Sequence, residues 1–246
     1  KVYINERNVS REVYYRNTTP QGILLHTYDV TRYLRPDSNT IAVWYAPCPP
    51  ATAYSLNAAS KHLTLDCYGT SHNGSAFYLQ AVESWSCSLS EGNRITQDSI
   101  GNTIEVFDNR QYDNNWKASD FFFQESEKPV HRLLKETKGI YTTLPTYPAY
   151  VNRLRHVLSP IAEYEDSLGL HYDFGRFFQG SVRITLREAK KGERLEINGL
   201  VYICSGEMDE QAFRRLSTSR QKSITIKGDR HFRKSQIQKI EGLEIY

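Results

Sequence analysis

Short runs of alternating apolar and polar residues fill the first half of the chain and predict β-strands. Segments rich in Pro, Gly, Asn, Asp and Ser separate these runs, beginning with an Asn-containing turn at residues 5–8. Alternation with a period of two is the signature of a strand that buries one face, and the intervening residue types favour turns. The predicted strands of this half are 2–6, 22–30, 40–45, 62–67, 76–82, 103–107 and 113–118.

Residues 123–150 interrupt this pattern. Three prolines and a charged stretch there indicate a linker, with one short helix near residues 130–136. A second β-rich block follows, in which residues 206–216 are the one segment predicted to be helical or turn-rich. The predicted strands of this block are 169–174, 181–187, 194–203, 223–227 and 242–246.

Many short strands separated by turn signals are typical of a β-sandwich or jelly roll. The sequence therefore predicts an all-β fold, with two antiparallel, jelly-roll-like β-sandwich domains that a Pro-containing linker joins. The predicted boundaries are 1–122 for the first domain, 123–150 for the linker and 151–246 for the second domain. A length of 246 residues suits one large domain or two ordinary ones.

Composition supports a folded β-protein and limits the classes of molecule that it is expected to bind. Hydrophobic residues make up 39% of the chain, which is enough for a packed core, and 17 tyrosines favour strands. Tyrosine also lines sugar-binding surfaces, although a half-buried strand position is the more common place for any one of them. A net charge of +3, with no nucleic-acid motif and no long apolar run, gives no reason to expect nucleic acid or a membrane span.

The four cysteines do not form a metal-binding or redox motif. No two of them have CxxC spacing, which makes a structural zinc site improbable. One long-range disulfide among Cys48, Cys67 and Cys87 stays open. Acidic clusters at 163–166 and 207–210 are more typical of solvated surface than of a catalytic carboxylate pair, and we assign no catalytic residue.

Several segments, taken in order, resemble those of the bacterial α-L-rhamnosidase family of glycoside hydrolases. The most specific is Tyr172-Asp-Phe-Gly-Arg-Phe-Phe-Gln-Gly-Ser-Val-Arg-Ile, which is similar to the strand that opens the second β-sandwich of that family. The resemblance covers nearly the whole chain. The other segments are Val2-Tyr-Ile-Asn-Glu-Arg, His26-Thr-Tyr-Asp-Val-Thr, Asn39-Thr-Ile-Ala-Val, Trp85 to Asp98, Ile104-Glu-Val-Phe-Asp-Asn-Arg-Gln-Tyr-Asp-Asn, Gly192-Glu-Arg-Leu-Glu-Ile and Ser223-Ile-Thr-Ile-Lys-Gly.

The resemblance implies an accessory role. Nothing in the chain matches the acidic signature of the family's catalytic (α/α) toroid, so we expect the chain to end where that toroid begins and to support it as part of one parent chain. Whether the chain itself is an enzyme is left open. By analogy with the family, the protein is expected to be bacterial, to be periplasmic or secreted, and to meet rhamnose-containing glycans.

The resemblance also implies sugar binding by the first sandwich, with calcium as the candidate cation. Asp108 and Asn109 carry oxygen ligands that suit sugar hydroxyls or a hard cation. Tyr112 and Trp44 offer faces on which a sugar ring stacks. The competing interpretation is that the Asp–Asn pair ends a strand and the aromatic residues belong to the core. Two other functions stay open, namely a freestanding carbohydrate-binding or cell-surface interaction protein, and a scaffold without a ligand.

Overall fold

The computed structural model describes residues 1–10, 27–44, 65–80, 92–121 and 153–246. Within these ranges the regular structure consists of β-strands and short 3-10 helices, arranged in three sheets. The predicted all-β, sandwich-like fold is therefore confirmed. The predicted helix at 130–136 lies outside the described residues.

The first block contributes seven described strands. A three-stranded sheet has the order β2-β1-β3, and β4 and β5 form a hairpin of their own. The strands are β1 (Val2–Ile4), β2 (Arg7–Asn8), β3 (Ile41–Val43), β4 (Asp66–Thr70), β5 (Ala76–Gln80), β6 (Asn93–Gln97) and β7 (Thr103–Asp108). The 3-10 helices are Thr31–Tyr33, Asn109–Gln111 and Asn114–Lys117.

The second block contributes eight strands to a ten-stranded sheet that also includes β6 and β7. The strands are β8 (Leu154–Leu158), β9 (Ala162–Asp166), β10 (Gly169–Arg187), β11 (Arg194–Ile197), β12 (Leu200–Ile203), β13 (Asp209–Ala212), β14 (Ser219–Gly228) and β15 (Ile237–Ile245). A 3-10 helix at Lys234–Gln236 leads directly into β15.

The long strand β10 organises this block. Its first half pairs with β9 and β14, and its second half pairs with β15 and β13. The register with β14 shifts between Asp173 and Phe178, which marks a bulge at the change of partners. The two halves of β10 therefore belong to the two layers of the sandwich, and this one strand connects the layers.

One hydrophobic core fills the space between these layers. It takes alternate residues from both halves of β10, because successive side chains of a strand point to opposite faces. Strands β7, β11, β12, β14 and β15 complete it. The fully buried members include Phe107, Ile184, Leu195 and Tyr202, each of which has no exposed surface.

Strands on the two sides of residues 123–150 share the large sheet. β7 pairs with β12 in parallel, with Glu105 opposite Leu200 and Phe107 opposite Tyr202. The other strand pairs of the described chain are antiparallel. The boundaries 1–122 and 151–246 stay predictions, and this pairing shows that the two blocks are joined by backbone hydrogen bonds.

Several predicted elements differ from the structure, and residues 194–203, for example, form the hairpin of β11 and β12 rather than a single strand. Residues 206–216 were expected to be helical or turn-rich, but they contain β13, because β10 offers its second half as a pairing edge. Residues 113–118 were expected to be a strand, but Asn114–Lys117 form a 3-10 helix. Asp113 caps that helix by accepting a hydrogen bond from the Asn115 backbone nitrogen at 2.7 Å.

Two further expectations concern cysteine and membranes. Cys67 is a free thiol, so it takes no part in a disulfide, whereas Cys48 and Cys87 lie outside the described residues. In the described part of the chain, no helix is long and apolar enough to cross a membrane.

Candidate functional site

The four predicted binding residues gather around the end of β7, where the strand passes into two 3-10 helices. Asp108 is the last residue of β7, and Asn109 and Tyr112 follow it within four positions. Trp44 arrives from the end of β3 and lies against Tyr112, with ring centroids 5.6 Å apart. The structure therefore brings all four residues into one region.

The carboxylate of Asp108 is already occupied by neighbouring groups. It accepts hydrogen bonds from Arg110 Nε at 2.9 Å, from Arg110 Nη2 at 2.7 Å and from the Arg110 backbone nitrogen at 3.1 Å. The amide of Gln111 adds a longer contact at 3.4 Å. These hydrogen bonds, led by those of the Arg110 side chain, hold the pKa of Asp108 below its usual range.

Asn109 is partly buried, and its side chain contacts the second block. Its amide nitrogen donates to Glu210 Oε2 at 3.0 Å and to Ser205 Oγ at 3.2 Å. Glu210 is only 2% exposed and also accepts from Tyr202, from the Ser205 backbone and from the Gly206 backbone. Asn109 therefore donates one of the hydrogen bonds that stabilise the buried carboxylate of Glu210.

Trp44 and Tyr112 belong to a continuous chain of aromatic contacts, which we call the aromatic cluster. Tyr112 packs on Phe107 at 5.2 Å between ring centroids, and Phe107 stacks on Tyr202 at 5.8 Å with nearly parallel planes. Both Trp44 and Tyr112 are half-buried against the hydrophobic core. The members of the aromatic cluster are Tyr3, Trp44, Phe107, Tyr112, Trp116 and Tyr202.

A second buried carboxylate lies beside the aromatic cluster. Glu105 has no exposed surface, and it accepts hydrogen bonds from the backbone nitrogens of Arg215, Leu216 and Ser217 at 2.6 to 3.2 Å. The hydroxyl of Ser217 donates to it at 2.9 Å. The guanidinium of Arg215 lies over the rings of Phe107 and Tyr112, with its central carbon 5.0 and 6.0 Å from their centroids. This arrangement fixes the segment before β14 against β7.

The geometry around Asp108 and Asn109 does not fit a calcium ion. A cation would have to displace the Arg110 guanidinium, because both oxygens of Asp108 face it. Among the described residues, no three His, Cys, Asp or Glu side chains come close enough to hold a metal. Sugar and calcium binding at these residues remain predictions without a direct test.

Replacement of Asp108 separates the structural interpretation from the metal-binding one. We expect Asp108→Ala to lower the free energy of unfolding by about 1–2 kcal/mol, since it removes a helix cap and the Arg110 ion pair. Asp113→Ala is the matched control, because Asp113 caps the next 3-10 helix without an arginine partner. Urea unfolding with and without calcium measures both effects. Stabilisation by calcium that disappears in Asp108→Ala alone would favour the metal site.

The phenol of Tyr3 makes the aromatic cluster sensitive to alkaline pH. Burial, together with the nearby Tyr112, raises the pKa of Tyr3 to about 12 from its ordinary value of 10.0. The neutral phenol is therefore favoured in the folded state. The contribution of the neutral phenol to the free energy of unfolding is fully present below pH 10. This contribution is lost as the pH rises through about 12.

We expect Tyr3→Phe to lose less stability than the wild type between pH 10 and pH 12. The difference should be about 2 kcal/mol at most, because a shift of one pKa unit corresponds to about 1.4 kcal/mol. Urea unfolding across this pH range measures it, and Tyr68→Phe is the control, since Tyr68 is 66% exposed. Parallel pH profiles for Tyr3→Phe and the wild type would contradict a buried phenol.

The acidic clusters are engaged in local contacts. Glu163 pairs with Lys234 at 2.9 Å, and Asp166 pairs with His171 at 2.7 Å. In the second cluster, Asp209 pairs with Arg187 at 3.0 Å. Each of these three carboxylates therefore has a basic partner, and the expectation that the clusters are not catalytic stays a prediction.

Sequence reasoning did not single out Glu105 or Arg215. One signal for Glu105 is visible, because this residue interrupts an otherwise apolar run two positions before Phe107, on the same face of β7. Its hydrogen-bond donors lie 110 to 112 positions further along the chain, which no local pattern reveals. Arg215 carries no comparable signal.

No protein-family model and no curated protein sequence matches the chain. The structure, in contrast, is similar to parts of solved enzymes. An α-L-rhamnosidase from Dictyoglumus thermophilum matches 100% of this chain with 29% of its own, at a TM-score of 0.70 and 18% identity. A Streptomyces avermitilis α-L-rhamnosidase, solved in complex with L-rhamnose, matches 100% of this chain with 26% of its own, at a TM-score of 0.70 and 17% identity.

An α-L-rhamnosidase from Aspergillus terreus matches 73% of this chain with 22% of its own, at a TM-score of 0.52 and 14% identity. The chain therefore spans between about a fifth and three tenths of these proteins. At such low identity the likeness concerns the fold. This chain has the fold of a β-rich portion of α-L-rhamnosidases.

Proposed function

We propose that this chain is the non-catalytic β-sandwich portion of an α-L-rhamnosidase-like glycoside hydrolase, where it supports the catalytic domain. The observation that carries the proposal is the match of the whole chain to 26–29% of two rhamnosidases at a TM-score of 0.70. The two β-blocks share one large sheet, which joins them through backbone hydrogen bonds. Such a segment is suited to holding another domain in position.

The surface next to β8 and β9 supports this role. Large apolar side chains along these strands and beside them are between 46% and 75% exposed. These side chains fall within 15 positions of the sequence, and exposed apolar patches are typical of surfaces that pack against another domain. They are Leu154, Val157, Ile161, Tyr164 and Leu168.

The test uses the polypeptide as it is encoded. We expect its reading frame to include a helical domain with acidic residues, and we expect the full protein to hydrolyse an aryl α-L-rhamnoside while this chain alone does not. Replacing Val157 and Leu168 with Ser in the full protein should lower its melting temperature. The same pair of replacements should leave this chain alone nearly unaffected, because both side chains are at least half exposed in it.

Two results would contradict the proposal. The first is a frame that encodes no further domain, which would favour a freestanding carbohydrate-binding or cell-surface interaction protein. The second is hydrolysis of the aryl rhamnoside by this chain alone.

A further inference from the structure

The chain contains two Asn-Gly dipeptides, and each lies in the turn of a different hairpin. Asn73-Gly74 lies at the tip of the β4–β5 hairpin, and Asn198-Gly199 joins β11 to β12. The dipeptide suits such turns, but it is also chemically labile. Glycine has no side chain to keep its backbone nitrogen away from the neighbouring carboxamide. The two hairpins therefore offer the same reaction in two different environments.

This reaction is a cyclisation that consumes only water. The backbone nitrogen of glycine forms a bond with the Cγ atom of asparagine, and the Cγ–Nδ2 bond breaks. The nitrogen leaves as ammonia, with the proton that the glycine amide loses. Water then opens the succinimide ring. Cleavage between Cγ and the ring nitrogen leaves aspartate, whereas cleavage between the backbone carbonyl carbon and the ring nitrogen leaves isoaspartate.

The turn at Asn73 leaves room for this cyclisation. Residues 71–76 are exposed, and a methyl group added at Gly74 would meet no atom within 4 Å. The Nδ2 atom of Asn73, which is the leaving group, forms no hydrogen bond within the described structure. The Gly74 nitrogen donates to the Ser71 carbonyl oxygen at 2.9 Å. A hydrogen bond in an exposed turn opens readily, so this contact releases the attacking nitrogen.

Two donors face the side-chain carbonyl of Asn73. The Ser75 backbone nitrogen donates to Oδ1 at 3.0 Å, and the Ser71 hydroxyl lies 2.5 Å from the same atom. This hydroxyl also lies 2.9 Å from the Ser75 carbonyl oxygen, and its single proton serves one acceptor at a time. Negative charge collects on Oδ1 when a nitrogen attacks Cγ, and donors aimed at such an oxygen stabilise that charge. The turn therefore favours the attack at Asn73.

Asn198 has the opposite arrangement. Its Nδ2 atom donates to the Ser223 carbonyl oxygen at 2.9 Å, and its Oδ1 atom accepts from the Thr225 backbone nitrogen at 3.0 Å. Both ends of the carboxamide are thus bound to β14. A methyl group added at Gly199 would meet the guanidinium of Arg214, so this turn is closely packed. To cyclise, the side chain of Asn198 would first have to leave β14.

We propose that Asn73 is a site of spontaneous deamidation in the folded protein, and that the fold protects Asn198. The hydrogen bonds to Asn73 Oδ1 stay in place during the attack, whereas both hydrogen bonds of the Asn198 side chain must break before it. Two hydrogen bonds of ordinary strength slow the reaction at Asn198 by about thirtyfold relative to Asn73.

The two products change the β4–β5 hairpin in different ways. Aspartate keeps the Oδ1 acceptor and adds a negative charge to the tip. Isoaspartate places the Cβ carbon of residue 73 in the backbone, so the hydrogen bond from Gly74 to Ser71 no longer fits. The facing pair of Thr70 and Ala76 then loses the turn that fixes its register. In the described part of the chain this sheet has no third strand, so we expect isoaspartate to loosen it.

The experiment is storage of the folded chain in mildly alkaline buffer, with peptide mapping by mass spectrometry at intervals. Chromatography separates the aspartate and isoaspartate products. We expect residue 73 to convert about thirtyfold faster than residue 198. A parallel sample in urea is the control, because unfolding gives both dipeptides the same freedom. The two rates should become similar there, through a faster reaction at Asn198.

Gly74→Ala tests whether the glycine nitrogen is the attacking group. The added methyl group crowds this nitrogen, and the variant should slow conversion of Asn73 about tenfold or more. The rate at Asn198 should not change, since the two hairpins belong to different sheets. Equal rates at residues 73 and 198 in the folded chain would overturn the proposal. A rate at Asn73 that rises on unfolding as much as the rate at Asn198 would also overturn it.

Discussion

Glu105→Ala is expected to lower the free energy of unfolding by about 3–5 kcal/mol, because three partly buried backbone N–H groups lose their shared, fully buried acceptor at once. Glu105 has no exposed surface, and its carboxylate is the shared partner of residues 215–217. A small folded domain is stable by only about 5–15 kcal/mol, so this loss is a large fraction of the total. Urea unfolding followed by tryptophan fluorescence measures it.

Glu105→Gln is the milder replacement, and it provides a measurement if Glu105→Ala does not fold. It keeps the size of the side chain and one acceptor oxygen, and it turns an amide group toward the same donors. We expect about half the loss of Glu105→Ala. Glu196→Gln is the matched surface control, since Glu196 pairs with Arg194 on an exposed face and should change stability by less than about 1 kcal/mol.

The expected order is therefore Glu105→Ala, then Glu105→Gln, then Glu196→Gln. A Glu105→Ala variant as stable as the surface control would contradict the interpretation that this carboxylate fixes the segment before β14. It would mean that water replaces the carboxylate at little cost, and that the aromatic cluster and the β7–β12 pairing hold the two blocks together without it.

The strand pattern was largely predictable where strands bury one face. β11 and β12 show the expected alternation, and the buried residues of each strand come from one face. The hairpin within residues 194–203 had a local signal that the prediction missed. Asn198 and Gly199 both have positive φ, and Asn-Gly is a strong signature of a two-residue turn.

Strands without a buried face could not be predicted from alternation. Every residue of β9 is exposed, and four of the five in β8 are exposed as well. These segments are strands because β10 and β15 offer them pairing edges, and not because of their own sequence pattern. β13 does bury one face, but its buried residues are Glu210 and Ala212, which give no apolar alternation in the sequence.

The location of the candidate site was predictable from the sequence, but the hydrogen-bond partners of its side chains were not. Residue types typical of sugar or metal binding do gather at the end of β7. Their polar groups, however, face Arg110 and Glu210, and the second of these lies about 100 residues away in sequence.

The second large effect is expected at Gly180, where β10 changes partners. The residue is buried between β14 and β15, opposite Ser219 and Glu244, and its φ is 156°. A methyl group added there would overlap the backbone carbonyl oxygen of Leu243. A backbone atom in a paired strand cannot rotate away as a side chain does, so β15 itself would have to shift.

We therefore expect Gly180→Ala to lower the free energy of unfolding by more than about 3 kcal/mol, as substitutions with a severe backbone conflict do. Gly74→Ala is the matched control, because Gly74 has a φ of 83° but no atom within 4 Å of the added methyl group. It should lose only about 1 kcal/mol from backbone strain. Urea unfolding of both variants, with proteolysis to locate the loosened strand, measures the difference. Equal losses would show that β15 yields to the methyl group, and that the crossing of β10 between layers depends on backbone conformation rather than on close packing.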